Sequence, residues 1–345
     1  MTEDVSEKAD MQHKDPIISV HSLTKVYKGE TKPAVDAISF EIEEGEVYGL
    51  LGPNGAGKTT TINMLTTRLS STAGQALVAG HDINKHSMNI RKIIGVVPQD
   101  MTADEDLSGL ENLILVSQFY DIPKKIAMER AERLLAMVDL TEAAGKQVRE
   151  YSGGMRKRLE LIIGLINEPK VLFLDEPTLG LDVQTRAVMW DYIKTLRKDF
   201  NMTIILTSHY LEEIDALADM VSIVDHGKII ITGSPAELKA SLKGDIVTLG
   251  FQKDQDAEQL RRYQGVLEVL PSLPGILKIR LENADSELPA LMNYVFEKGI
   301  TLKTLSVQKP SLDEVFLRYT GRSLREEAPA DRFKTMINMR RMRRT

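Results

Sequence analysis

The sequence predicts an α/β domain built on a largely parallel sheet, interrupted by a helical insertion and followed by a small α+β appendage. Three observations carry that expectation. From Ile17 to about Gly233, short β-branched runs alternate with longer stretches of helical spacing, as in strands joined by crossover helices. Between roughly residues 102 and 167 the alternation lapses and apolar residues recur at helical intervals instead. After Gly233-Ser234-Pro235 the pattern restarts on a smaller scale.

The elements follow in order. Residues 1–16 mix Glu, Asp and Lys without an apolar stretch, which predicts a frayed tail rather than a secretory leader. Strands are expected at Glu46–Leu51, Ile93–Val97, Val171–Leu174, Thr203–Leu206 and Val221–Val224. The insertion's helices are marked by Leu110, Leu113 and Ile114, by Leu134, Leu135 and Val138, and by Leu159, Ile162, Ile163 and Ile166. A helix-like segment reaches Lys243; the appendage then shows strands at Ile246–Phe251 and Ile276–Leu281 and helices at Asp254–Tyr263 and Glu287–Lys298, ending near Gly321. Residues 322–345 form a tail whose last part, Arg332 to Arg344, is basic; such a run is more often a solvated tail than a binding site.

Composition narrows the class. Apolar residues make up 42% and charged residues 27%, so disorder is not the default. A net charge of -6 argues against a surface built throughout for nucleic acid, leaving only a local patch for such use. With no cysteine there is no disulfide framework, thiolate metal site or cysteine nucleophile, and cytoplasm is the expected location. The longest apolar runs, such as Leu161–Ile166, fall short of the ~20 residues that span a bilayer. A membrane role is therefore expected to be peripheral or supplied by a partner.

Chemistry concentrates in two places. Gly52-Pro53-Asn54-Gly55-Ala56-Gly57-Lys58-Thr59 lies between an apolar strand and a helix-like run, which is the setting a phosphate-binding P-loop requires. Its glycines let the backbone approach a polyphosphate, the helix N-terminus adds a favourable field, Lys58 is suited to the β- and γ-phosphates, and the Thr59 hydroxyl to magnesium. The second place is Asp175-Glu176, at the C-terminal end of a strand expected to be wholly buried. Asp175 is suited to holding magnesium, and Glu176 to polarising an attacking water as general base. Thr207-Ser208-His209 ends the neighbouring strand; a lone histidine is usually structural, but this position puts His209 within reach of the γ-phosphate.

With these residues in place, the stretch from Ile17 to Gly233 resembles the ATP-binding subunits of ABC transporters. Tyr151-Ser152-Gly153-Gly154-Met155 is similar to that family's signature loop, with Tyr151 and Met155 where leucine and glutamine are commoner. The resemblance implies an α/β P-loop ATPase core with a mixed sheet, with ATP and Mg²⁺ as ligands. It further implies Gln99 as the Q-loop glutamine near the metal and the reacting phosphate, Leu181-Asp182 as the D-loop, His209 as the switch histidine, Tyr27 as the aromatic on adenine, and Thr60 beside the P-loop. Ser152, Gly153 and Gly154 would sense the γ-phosphate of ATP held by a second ATPase subunit, expected to be an identical chain.

The residues after Gly233 resemble the C-terminal appendage of the daunorubicin-type drug-resistance exporters, a branch that includes lipo-oligosaccharide exporters. Gly233-Ser234-Pro235-Ala236-Glu237-Leu238 and Pro310-Ser311-Leu312-Asp313-Glu314-Val315-Phe316-Leu317 carry that likeness. It implies an exporter subunit working with separate membrane-spanning permease chains on the cytoplasmic face of the membrane. The basic tail could touch an anionic lipid surface. A soluble ABC protein acting on ribosomes or nucleic acid is the competing reading, and the tail is the one feature in its favour. A metabolic kinase would leave Ser152-Gly153-Gly154 unexplained.

Overall fold

The computed structural model describes residues 16–251, 258–261, 263–270 and 272–322. Expectations for residues 1–15 of the N-terminal tail and for the basic stretch Arg332–Arg344 fall outside these residues, as does half of the expected helix Asp254–Tyr263, of which Glu258–Leu260 are helical. The chain divides into two units between Ile231 and Thr232.

The first unit opens with β1 (Ile18–Lys25), β2 (Val35–Ile42) and β3 (Val47–Leu51), followed by α1 (Lys58–Leu65), β4 (Ala73–Val78), β5 (His81–Asp82), α2 (Ser87–Ile93) and β6 (Ile94–Val97). The helical insertion holds α3 (Gly109–Phe119), α4 (Lys124–Met137) and α5 (Gly153–Ile163). The unit closes with β7 (Val171–Asp175), α6 (Val183–Phe200), β8 (Thr203–Ser208), α7 (Leu211–Leu217), β9 (Met220–Asp225) and β10 (Lys228–Gly233).

Two sheets share these strands. Among the described residues, six strands lie in the order β10-β9-β3-β8-β7-β6, with β3, β8, β7, β6 and β9 paired in parallel. The other sheet, β2-β1-β4-β5, is antiparallel where β1 meets β2 and β4, and nothing in the expected strand set anticipated it. Its strands mix buried and exposed positions, most regularly along Val35–Ile42, so one face joins the core while the other is wetted. The strands β3, β7 and β8 are buried at every position, as a sheet covered on both faces requires. Ile18, Val20, Ile42, Tyr48, Leu50, Ile62, Phe173 and Ile205 belong to one apolar cluster spanning both sheets.

The sheet order places the site. β8 lies between β3 and β7, in a register that pairs Leu51 with Ser208 and Asp175 with Thr207. The C-terminal ends of three adjacent parallel strands therefore converge on one edge, where open α/β sheets bind ligands.

The second unit contains α8 (Pro235–Ala240), β11 (Asp245–Phe251), β12 (Val266–Leu270), β13 (Ile276–Leu281), α9 (Ala284–Glu297), β14 (Leu302–Gln308) and α10 (Leu312–Thr320). Its sheet runs β12-β13-β11-β14, antiparallel throughout. Val247, Leu249, Leu277 and Ile279 form its core with Leu291 and Val295 of α9. α9 begins at Ala284, earlier than the periodicity indicates, because Asn283 accepts from Ser286 N–H and caps the first turn. α8 starts with a capping box in which Ser234 and Glu237 satisfy each other's backbone N–H groups, and Pro235 occupies the first turn.

Candidate active site

β3 leads straight into the glycine loop. Gly55 and Gly57 have φ of 80° and 105°, conformations an L side chain resists. Gly52 is needed for space as well, since a Cβ there would sit 2.2 Å from the Val224 carbonyl oxygen. The Ala56 carbonyl accepts from Gly227 N–H at 3.0 Å, tying the loop to the β9–β10 turn. The Lys58 ammonium lies inside the loop and donates to the Gly52 and Pro53 carbonyls at 2.7 and 3.1 Å.

Asp175 closes β7 as an acceptor for two hydroxyls: its Oδ1 takes Thr207 Oγ1 at 2.5 Å and Thr59 Oγ1 at 3.2 Å. Glu176 follows in a left-handed conformation, φ 52°, which a glutamate adopts at a cost. That conformation is held by its own N–H, which donates to the Thr207 carbonyl at 3.2 Å and to Thr207 Oγ1 at 3.0 Å. The result aims the carboxylate at the glycine loop: Oε1 lies 3.7 Å from Lys58 Nζ and 3.4 Å from His209 Nδ1. Both Lys58 and Glu176 are buried. Burial raises the Glu176 carboxyl, but the approach of His209 and the Lys58 ammonium outweighs it and holds the group below its ordinary range. The carboxylate is therefore ionised at neutral pH. Among the described residues His209 Nδ1 makes no well-aligned hydrogen bond, so its 3.4 Å approach does not fix the imidazole on Glu176.

Lys58, Thr59, Asp175, Glu176 and His209 thus form one continuous cluster. Tyr27 stands at its border, 41% exposed, with its hydroxyl 3.2 Å from Thr60 Oγ1. A half-exposed ring beside the start of α1 can accept a flat partner. Thr59 and Asp175 offer adjacent hard oxygen donors, the donor chemistry that suits Mg²⁺ and not a softer metal. Gln99, two residues past β6, has no hydrogen bond to either of them among the described residues. Its backbone carbonyl instead accepts from Lys157 Nζ of α5 at 3.1 Å.

The Ser152–Gly154 segment opens α5. Ser152 caps the helix by accepting from Met155 N–H at 3.3 Å, and both Ser152 and Gly153 are exposed. Gly154 is held to glycine by the neighbouring helix, because a Cβ there would stand 2.7 Å from Thr185 Cγ2. Within the chain Asp182 is an N-cap: its two oxygens accept from Thr185 N–H at 3.0 Å and from the Thr185 hydroxyl at 2.7 Å. Those hydrogen bonds lower its carboxyl below the ordinary range. Tyr151, the unusual residue ahead of the loop, donates to the Ala143 carbonyl at 2.7 Å and fills the space over Gly109.

Reading the sequence missed Glu213. It is fully buried in α7, where its Oε1 accepts from Thr178 Oγ1 at 2.7 Å and from Trp190 Nε1 at 3.2 Å. No local signal distinguishes it from Glu212 beside it.

Comparison with known proteins gives the family. Residues 35–179 match the family model described as "ABC transporter", and residues 233–320 match "ATP-binding protein DrrA1-3-like, C-terminal domain". The daunorubicin resistance ATP-binding protein DrrA3 of Streptomyces coeruleorubidus is 40% identical over 315 residues, covering 89% of this chain and 96% of that protein. Among solved structures, cbiO1 of Clostridium perfringens, part of the ABC transporter complex cbiONQ, is 29% identical with a TM-score of 0.61 over 66% of this chain and 92% of its own. The cassette MJ0796, solved as a dimer in a post-hydrolysis state with ADP and Pi, shares the fold at 24% identity and a TM-score of 0.58, over 63% of this chain and 98% of its own. The chain belongs to the ABC transporter family, as an ATP-hydrolysing subunit whose C-terminal unit is of the drug-resistance DrrA type.

Proposed function

We propose that this subunit binds Mg-ATP on the Gly52–Thr59 loop and hydrolyses it between two copies of the chain, driving export by separate membrane-spanning subunits. The observation that carries the reading is the convergence of Lys58, Thr59, Asp175, Glu176 and His209 at the ends of β3, β7 and β8. The Lys58 ammonium sits where it can neutralise the β- and γ-phosphate oxygens. Thr59 and Asp175, with Gln99, would hold magnesium, which supplies charge neutralisation on the polyphosphate. Glu176 takes a proton from the water that attacks the γ-phosphorus as the bond to the ADP oxygen breaks, and His209 contacts the γ-phosphate from the adjacent strand end. Tyr27 stacks on the adenine ring.

Exposure of Ser152 and Gly153 at a helix N-terminus supports a second contact to the γ-phosphate, made by the partner copy. ATP then becomes part of the dimer interface, and loss of the γ-phosphate loosens it. Likeness to a daunorubicin resistance protein supports a hydrophobic drug or lipid-like cargo. Among the described residues no helix is long and apolar enough to cross a membrane, so the expected seat is peripheral, on partner permease chains. Co-expression with a candidate permease tests the role: ATP-dependent efflux that needs both chains supports it, and efflux unchanged by Glu176→Gln contradicts it.

A further inference from the structure

Two stitches join α6 to the turn that carries His209. At the first, the Arg186 guanidinium lies 4.3 Å over the Tyr210 ring, and that ring lies 4.1 Å from the His209 ring. At the second, one helical turn further along, Trp190 Nε1 donates to Glu213 Oε1 at 3.2 Å. The same oxygen takes Thr178 Oγ1 at 2.7 Å, and Thr178 is two residues past Glu176. Between them the chain turns tightly: Leu179 N–H donates to the Glu176 carbonyl at 3.1 Å, and Leu181 N–H to the Thr178 carbonyl at 3.2 Å. Glu213 and Thr178 are both 0% exposed. A buried carboxyl is costly unless it is well partnered, and here Oε1 is doubly satisfied while Oε2 meets no well-aligned donor among the described residues.

An acidic group so placed adds little to a core. A leucine would fill the space without the desolvation penalty, so what the carboxyl supplies is geometry. One oxygen fixes three things at once: the backbone just after Glu176, the start of the helix that follows His209, and the second turn of α6. Helix α6 begins at the Asp182 cap, and its Thr185 abuts Gly154 at the start of α5. We propose that Glu213 is a positioning residue, fastening α6 to the chain segments that aim Glu176 and His209, so that displacement of α6 is felt at the reacting phosphate. The inference rests on the reading of Glu176 as the base.

Trp190 is the one tryptophan of the chain, so its emission reads this junction directly. The experiment uses the full chain and compares Thr178→Val, Trp190→Phe, Glu213→Leu and Glu213→Gln with the parent. Steady-state hydrolysis, binding of a fluorescent ATP analogue and, where Trp190 is present, emission with and without Mg-ATP are measured for each.

Thr178→Val keeps side-chain volume while removing one donor to Glu213. It is expected to lower kcat about ten-fold through misplacement of Glu176, with nucleotide affinity unchanged. It should also shrink the emission change that Mg-ATP produces in the parent. Glu213→Leu should show the larger loss of kcat, and Glu213→Gln, which keeps an acceptor oxygen, should recover most of it. If Glu213→Leu fails to fold, Thr178→Val and Trp190→Phe still decide. Parental kcat in both overturns the proposal, as does a loss confined to nucleotide affinity. Glu176→Gln separates the two assignments: parental hydrolysis in it removes the base, whereas an inactive Glu176→Gln beside fully active Thr178→Val and Trp190→Phe removes only the role of Glu213.

Discussion

Lys157 donates to the Gln99 carbonyl at 3.1 Å, so the helix that opens at Ser152 is fastened to the end of β6. One turn along, the buried Glu160 carboxylate accepts from Thr102 N–H at 2.7 Å, the Thr102 hydroxyl at 2.8 Å and Ala103 N–H at 2.8 Å. The chain leaving Gln99 and the helix leaving Ser152 are thus held by four hydrogen bonds from two residues. Glu160→Ala leaves buried N–H groups without acceptors and is expected to cost about 3 kcal/mol. A urea titration that follows the first unit checks this, and an unchanged midpoint would show that the clasp carries no stability.

Gly109 and Tyr151 form a second coupled pair. A Cβ on Gly109 would stand 2.4 Å from the Tyr151 hydroxyl oxygen, so Gly109→Ala alone is expected to destabilise by about 1–3 kcal/mol through overpacking. In a Tyr151→Leu background the clash is gone and the same change should cost less, giving a coupling of about 1 kcal/mol or more in a double-mutant cycle. Strict additivity would mean that Tyr151 does not fill that space.

In the second unit, buried Asp245 accepts from Ala284 N–H at 2.9 Å and from Lys309 Nζ at 3.0 Å, and Asp285 takes the same ammonium at 2.7 Å. Asp245→Ala leaves the Ala284 N–H unpaired and is expected to destabilise that unit by about 2 kcal/mol. Hydrogen bonds from Lys309 to Asp285 and then Asp245 raise its ammonium above the ordinary 10.5. Its contribution is therefore full below that value and lost as pH rises through the raised one. The difference in stability between the parent and Lys309→Met should vanish in strongly alkaline buffer and be constant across the neutral range. Melting curves at several pH values measure it.

Lys58 holds the glycine loop from within and faces Glu176 across 3.7 Å. Lys58→Ala removes the proposed phosphate contact and leaves the Glu176 carboxylate without its nearest ammonium. Equilibrium titration should show ATP affinity falling at least ten-fold, about 1.4 kcal/mol. Parental affinity would mean that Lys58 does not grip phosphate.

The cluster of Lys58, Thr59, Asp175 and Glu176 was legible in the sequence because its chemistry is local: glycines that only a tight loop tolerates, and acids directly after an apolar run. The parallel strands were legible for the same reason, since Val171–Asp175 and Thr203–Ser208 are buried on both faces and read as continuous apolar runs. The antiparallel sheet was not. Its strands mix buried with exposed positions, and β1 shifts register between Val20 and Leu23, so they carry no continuous apolar run of the kind that marks the parallel strands. Glu213 escaped because burial of an acid is decided by what packs over it, here Thr178 and Trp190 from elsewhere in the chain. The capping role of Asp182 was open to a residue-level reading, for a helix follows it directly and Thr185 stands three positions on.

The most direct test of the shared nucleotide is the mass of the Glu176→Gln protein with Mg-ATP. Removing the base should cut hydrolysis by about 10² to 10⁴ while ATP stays bound. Light scattering on a sizing column should then give twice the chain mass, returning to a single chain when Ser152→Arg is added to block the partner's contact. A single-chain mass for Glu176→Gln with ATP bound and unhydrolysed would contradict a site completed by a second copy.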